Sequence, residues 1–167
     1  MPEIKEEKGK QAAVEGFANE HIVVGLLMKK FQNVSLVDLP LSPYDIIIVL
    51  PDDGKEKIIR AQVKTSSKQI SFTGGSRGGV DREYKSSAKT YIQSSKTADV
   101  VIGVKALNNN TFDLYFVPTV LIEILDQKSI SLKKIPFLKN NYDILEKCQD
   151  SDYVLEFVTE KGLLKNK

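Results

Sequence analysis

The sequence predicts a mixed β-sheet flanked by helices, an α/β (α+β) fold. Three observations lead there. A long stretch with a helical apolar stripe opens the chain. Several short β-branched runs follow, separated by Gly, Pro, Asp and Asn turns. Further helical patterns fall between and after those runs, which is the element order of a layered fold rather than of an all-β sandwich.

The first element is a helix over about Lys8 to Lys30, because Ala13, Phe17, Val24, Leu27 and Phe31 recur at three- and four-residue steps. Glu20 falls on that stripe. Asn33 to Leu39 alternates loosely and reads as a strand. Leu41 to Asp45 is a turn, and Ile46 to Leu50 is a continuous apolar run expected to be a buried strand with both faces covered. Pro51-Asp-Asp-Gly54 has hairpin character. Lys57 to Thr65 is then the returning strand, and Gln69 to Thr73 is a candidate extension of the sheet. After a glycine-rich loop, Gly74 to Gly79, a helix is expected over Arg82 to Lys96. Ala98 to Val104 and Phe112 to Val117 are strands joined through Asn108-Asn-Asn110. Pro118 begins a helix over Thr119 to Leu125. Beyond Gln127, Tyr142 to Cys148 reads as helical and Tyr153 to Val158 as a strand.

With 167 residues and no repeat or linker, one domain is expected over 1–167, with a core over about 8–126 and a C-terminal extension over about 127–167. The apolar segments Val120 to Leu125 and Tyr153 to Val158 are candidates for a subunit interface. Cys148 is the single cysteine, so no intramolecular disulfide forms, in keeping with a reducing, cytoplasmic setting. The charged start, MPEIKEEKGK, does not have the pattern of a secretory signal. No apolar run approaches the roughly 18 residues that span a bilayer, so no membrane partner is expected.

The inventory of reactive residues is short. His21 is the only histidine, which excludes any mechanism needing two. There is no phosphate-binding P-loop, no nucleophile elbow and no cysteine pair for zinc. Carboxylates, amides and lysine must carry any chemistry. One constellation answers that description. Asp45 opens one strand, and Gln62 and Lys64 lie two apart on the next, so their side chains share a face while Ile59, Ala61 and Val63 turn to the core. A hairpin through Pro51–Gly54 sets the two strands side by side. An aspartate, an amide oxygen and an ammonium then converge. Such oxygen donors suit a hard divalent cation, Mg²⁺, with Mn²⁺ able to substitute. Asp45, the Gln62 amide oxygen and the Val63 carbonyl are the candidate metal ligands, with Glu20 adding a second carboxylate. Lys64 is placed to hold an attacking water or to stabilise charge on a phosphate.

Pro43-Tyr-Asp45, the turn and Gln62-Val-Lys64-Thr-Ser66 resemble the PD-(D/E)XK nuclease superfamily, whose fold is restriction endonuclease-like. Asn19-Glu-His-Ile-Val23 resembles its helix-borne glutamate motif. The Gln-x-Lys form is similar to that of group I intron homing endonucleases and of restriction and junction-resolving relatives. The resemblance implies a metal-dependent endodeoxyribonuclease acting on double-stranded DNA, of the site-specific restriction or homing type. It implies Asp45, Gln62, Lys64 and Glu20 as catalytic residues, and a homodimer or higher oligomer if both strands are cut. Gln62 stands where the family usually carries an acid. That removes one negative charge and keeps open a second reading, an inactive nucleic-acid-binding domain of the same fold.

Each residue also has a plainer reading. Asp45 can be a turn residue, Gln62 and Lys64 a solvated strand face, and Glu20 a surface acid with Glu15 its competitor on the polar side. His21 and Cys148 are read as structural. Arg77 in the glycine loop, with Lys85 and Lys89 on the following helix, are candidate DNA-backbone contacts within a stretch richer in Lys and Arg, Lys55 to Lys105. The same Arg77 and Lys64 can instead serve a small anionic ligand.

Overall fold

A computed structural model describes residues 2–39, 41–75 and 90–164. The chain order is α1 (Pro2–Met28), β1 (Asn33–Leu36), β2 (Ile46–Asp52), β3 (Lys55–Thr65), β4 (Gln69–Ser71), β5 (Thr73–Gly74), β6 (Tyr91–Ile92), β7 (Val100–Ala106), β8 (Phe112–Pro118), α2 (Thr119–Leu125), β9 (Ser129–Ser131), α3 (Tyr142–Glu146) and α4 (Ser151–Glu160). Short 3₁₀ turns lie at Asn108–Asn110, Leu132–Lys134 and Pro136–Leu138.

The main sheet has five strands in the order β1-β2-β3-β7-β8. All its pairs are antiparallel except β3–β7, which is parallel. This is the mixed sheet with flanking helices that the sequence predicts. The β2–β3 hairpin turns at Asp53 (φ 44°) and Gly54 (φ 80°), two left-handed residues in succession. That is the backbone a two-residue hairpin loop matched to strand twist requires, and Asp-Gly is among the pairs that adopt it most readily. The turn fixes the register: Ile46 pairs with Ala61 and Asp52 with Lys55.

The core is one cluster. Ile46, Ile48, Ile59, Ala61, Val63, Val100 to Ile102, Val104 and Phe116 come from the sheet, and Val23 and Leu27 from α1. The segment read as a C-terminal extension supplies Ile130, Leu138, Ile144, Leu145, Cys148, Val154 and Val158 to the same cluster. At roughly 1.5–3 kcal/mol per fully buried large apolar side chain, this cluster dominates the fold's stabilisation.

Several sequence expectations are corrected. Tyr153–Val158 is not a strand but the middle of α4. Asp150 caps the helix by accepting from the Tyr153 N–H (3.1 Å), Val154 and Val158 are buried, and Tyr153 and Phe157 stack one turn apart (6.2 Å between ring centroids). α4 packs with α2, where Leu121 and Ile122 are buried. Gln69–Thr73 does not extend the main sheet; β4 pairs with β9 and β5 with β6 as two small separate ladders. Tyr91–Ile92 is strand rather than helix, and the rest of the expected 82–96 helix up to residue 89 lies outside the described residues.

The stripe on α1 is also rotated from its expected position. Phe17 is 63 % exposed and Ala13 is exposed, whereas Asn19, Val23 and Leu27 are buried. β2 alternates between buried (Ile46, Ile48, Leu50) and half-buried (Ile47, Val49) residues. The strands buried on both faces are β7, from Val100 to Val104, and β8, from Leu114 to Pro118.

Candidate active site

Asp45 sits one residue before β2, held on both sides by main chain. Its N–H donates to the Ala61 carbonyl (2.9 Å), and its own carbonyl accepts from the Val37 N–H (2.8 Å). The β2–β3 register therefore sets Asp45 beside Gln62. The carboxylate is turned toward β3, where Oδ2 accepts from the Val63 N–H (2.7 Å) and from Gln62 Nε2 (2.5 Å). Two donors thus hold one carboxylate oxygen.

Lys64 follows on the same strand, half-buried. Its neighbour in the register is Gly103 of β7. A Cβ on Gly103 would stand 2.6 Å from Ile70 Cδ1, so only glycine lets Ile70 close over this part of the sheet. Burial pushes the Lys64 ammonium below its ordinary range, and the charges of Asp45 and Glu20 pull it partly back.

Glu20 comes from α1. The preceding residue, Asn19, is 6 % exposed and donates to Thr65 Oγ1 at the end of β3 (2.8 Å), which ties this turn of the helix to the strand carrying Lys64. Glu20 is half-buried, and its carboxyl is raised to about 7, first by burial and then by the Asp45 charge, against the opposing pull of His21 and Lys64. Asp45 is also raised, by burial, with the Val63 N–H, Lys64 and Gln62 opposing. The two acids are thus electrostatically coupled, and Glu15 is exposed on the helix's other side. His21 is exposed; its Nδ1 lies 2.9 Å from the Phe17 carbonyl oxygen, and its ring stacks edge-on against Phe17, a local helix contact.

Asp45, Gln62, Val63, Lys64 and Glu20 are thus brought to one place, at the C-terminal end of β3. Arg77, Lys85 and Lys89 lie outside the described residues. A residue that sequence reasoning passed over joins the group. Gln93, 1 % exposed, donates from Nε2 to Gln62 Oε1 (3.4 Å), and its own Oε1 accepts from Thr97 Oγ1 (2.6 Å). Only its polarity, just after the Tyr91-Ile92 pair, could have marked it.

The donor set can be tested against a divalent cation. Among the described residues no group of three or more His, Cys, Asp or Glu gathers. Two coupled carboxylates and a main-chain carbonyl nonetheless form an all-oxygen set, the kind a hard cation takes. Carboxylates that resist ionising together are stabilised by a positive charge between them, so the residues fit such an ion.

No family profile matches this chain, and no curated protein matches it. A solved structure of a bacterial homing endonuclease matches over 72 % of this chain and 76 % of its own, at 15 % identity and a TM-score of 0.45. Likeness at this level concerns backbone shape; chemistry has to be read from the side chains.

Proposed function

We propose that this chain is a Mg²⁺-dependent endonuclease that hydrolyses phosphodiester bonds in double-stranded DNA. The observation that carries the reading is the cluster at the end of β3. There a carboxylate, an amide and a lysine sit on adjacent strands beside a second carboxylate, and all three ionisable groups are pushed off their ordinary pKa values by burial. Burying charge without a complete set of partners costs stability, and such clusters concentrate at functional sites.

Asp45, Glu20 and the Val63 carbonyl would hold the cation, with Gln62 beside them. When bound, such an ion supplies charge neutralisation at the phosphate and makes nearby water more acidic. Lys64 holds the attacking water or donates to the phosphoryl oxygens as charge builds there. Water adds its oxygen to phosphorus, the bond from phosphorus to the leaving oxygen breaks, and a proton ends on that oxygen. The lowered pKa of Lys64 suits it to exchange a proton closer to neutral pH than an ordinary lysine. Mn²⁺ should substitute for Mg²⁺. A double-strand cut needs two such sites, so a homodimer or higher oligomer follows from this reading.

One observation favours the rival, a DNA-binding domain without chemistry. Gln62 turns Nε2 rather than its oxygen toward Asp45. Incubation with supercoiled plasmid in Mg²⁺, Mn²⁺ or EDTA separates the two. Metal-dependent cutting that Asp45→Ala and Lys64→Ala both abolish is the expected result. Intact DNA that shifts on a gel in every condition would make the binding domain the better reading.

A further inference from the structure

Four side chains form a directed chain of hydrogen bonds into the site. Thr97 Oγ1 donates to Gln93 Oε1 (2.6 Å), Gln93 Nε2 to Gln62 Oε1 (3.4 Å), and Gln62 Nε2 to Asp45 Oδ2 (2.5 Å). The direction is imposed from the Asp45 end. An ionised carboxylate only accepts, so the Gln62 amide must show it the NH₂ group. Gln62 Oε1 then faces Gln93, which must also present its NH₂, and Gln93 Oε1 is left to take the Thr97 proton.

The far end of the chain can satisfy either direction. Thr97 Oγ1 has a second acceptor, the Ser94 carbonyl, at 2.9 Å, and it already accepts from the Ser94 N–H at 2.9 Å. If the Thr97 proton turns to the Ser94 carbonyl, its oxygen is free to accept from Gln93. Gln93 can then accept from Gln62, and the Gln62 oxygen faces Asp45. In both directions every group from the Gln62 NH₂ to Thr97 has a partner, and in the second the Gln62 and Asp45 oxygens are left facing each other for a cation to hold. That matters at Gln93, because an unpaired amide group so deeply buried would cost about 1–3 kcal/mol.

We propose that Gln93 and Thr97 form, with Gln62, a reversible relay. It lets Gln62 donate to Asp45 when no cation is bound and turn its amide oxygen to a cation when one is. Gln93 is then a positioning residue, acting through Gln62 and touching neither the ion nor the DNA. The relay also accounts for a neutral amide serving at a position where an acid would be fixed as an acceptor. It rests on the proposed function, since it assumes a cation at Asp45.

The test is a Mg²⁺ titration of ¹⁵N-labelled protein without DNA. The side-chain amide signals are assigned through bonds to their own backbone resonances in the wild type and checked by their loss in Gln62→Ala and Gln93→Met. Both the Gln62 and the Gln93 NH₂ signals should move, with one midpoint. Gln93→Met should weaken Mg²⁺ binding about tenfold, and should change it little further when Gln62→Ala is already present. The relay is overturned if Gln62 moves while Gln93 stays still, or if Gln93→Met weakens binding equally in both backgrounds. If Gln93→Met fails to fold, the wild-type titration decides alone. If Mg²⁺ moves no signal at Asp45, Gln62 or Lys64, the cation reading itself fails and the relay goes with it, a different result from a still Gln93 beside a responding Gln62.

Discussion

Strand β3 carries two charged sites with opposite characters. At Arg60 the charge is matched. Its guanidinium makes a two-pronged ion pair with Asp99, Nε to Oδ2 (3.1 Å) and a terminal nitrogen to Oδ1 (2.9 Å), while the Arg60 main-chain N–H also reaches Oδ2 (2.8 Å). The guanidinium also donates to the Ser95 carbonyl (2.8 Å) and lies over the Tyr44 ring (5.9 Å to its centroid). Arg60 is held above its ordinary pKa, first by its hydrogen bond to Asp99. Four residues further on, Lys64 has its pKa lowered, and the acids near it have theirs raised. Burial opposes the charged form at both sites; at the first the Asp99 hydrogen bond and charge outweigh it, and at the second it prevails. The first site locks β3 to the turn before β7; the second retains electrostatic need that a ligand can meet.

That contrast can be broken by mutation. The largest expected effect is on activity: Lys64→Ala or Asp45→Ala should lower Mg²⁺-dependent cleavage by at least about a hundredfold, while Asp99→Ala should leave the cleavage of the folded fraction nearly intact. Stability should divide the other way. Asp99→Ala should cost about 2–4 kcal/mol in urea unfolding, since it strips a half-buried guanidinium of its partner. Asp45→Asn should be neutral or stabilising at pH 8 without metal, because burial disfavours the charge it removes. Equal losses from both substitutions would erase the distinction between the sites.

A smaller effect is expected at Gly103. Gly103→Ala should destabilise by about 1–3 kcal/mol through overpacking against Ile70, read as a lower urea midpoint with an unchanged slope. The smallest effect sharpens the comparison through pH. Glu20 binds its proton more tightly folded, at about 7, than unfolded, near 4.5. Its stabilising contribution is therefore complete below about pH 4.5 and is lost as pH rises to about 7. Urea midpoints measured across that window without divalent cations should show this falling component in the wild type. It should be absent in Glu20→Gln and reduced when Mg²⁺ is added. A wild-type profile identical to that of Glu20→Gln would remove the raised proton affinity of Glu20.

Much of the site was legible because its geometry is local. A two-residue period puts Gln62 and Lys64 on one face, and Asp53-Gly54 dictates a hairpin whose register reaches back to Asp45. Glu20 was marked by being an acid on an apolar stripe, although the stripe proved rotated once α1 met the sheet. Gln93 was not legible. It falls inside the segment expected as a helix over Arg82 to Lys96, a reading that gives it no link to Gln62, and its part depends on two amides and a hydroxyl meeting in three dimensions. The helix at Tyr153–Val158 was missed for another reason. Aromatic and β-branched residues weighted the segment toward strand, whereas the Asp150 cap and the four-residue spacing of Tyr153 with Phe157 and Val154 with Val158 favoured a helix.

The parallel pairing of β3 with β7 has a consequence for how the site assembles in time. Asp45 and Gln62 are 17 positions apart and joined by a tight hairpin, a contact that can form on the microsecond scale. Val63 and Ile102, by contrast, must meet across the whole segment between them, so that ladder pays a larger loop-closure entropy and forms later. The hairpin half of the site is therefore expected early in folding, with Asp45 and Gln62 paired while still wet. Burial of Lys64 waits for β7, and the shift in its proton affinity should develop only in that final docking step.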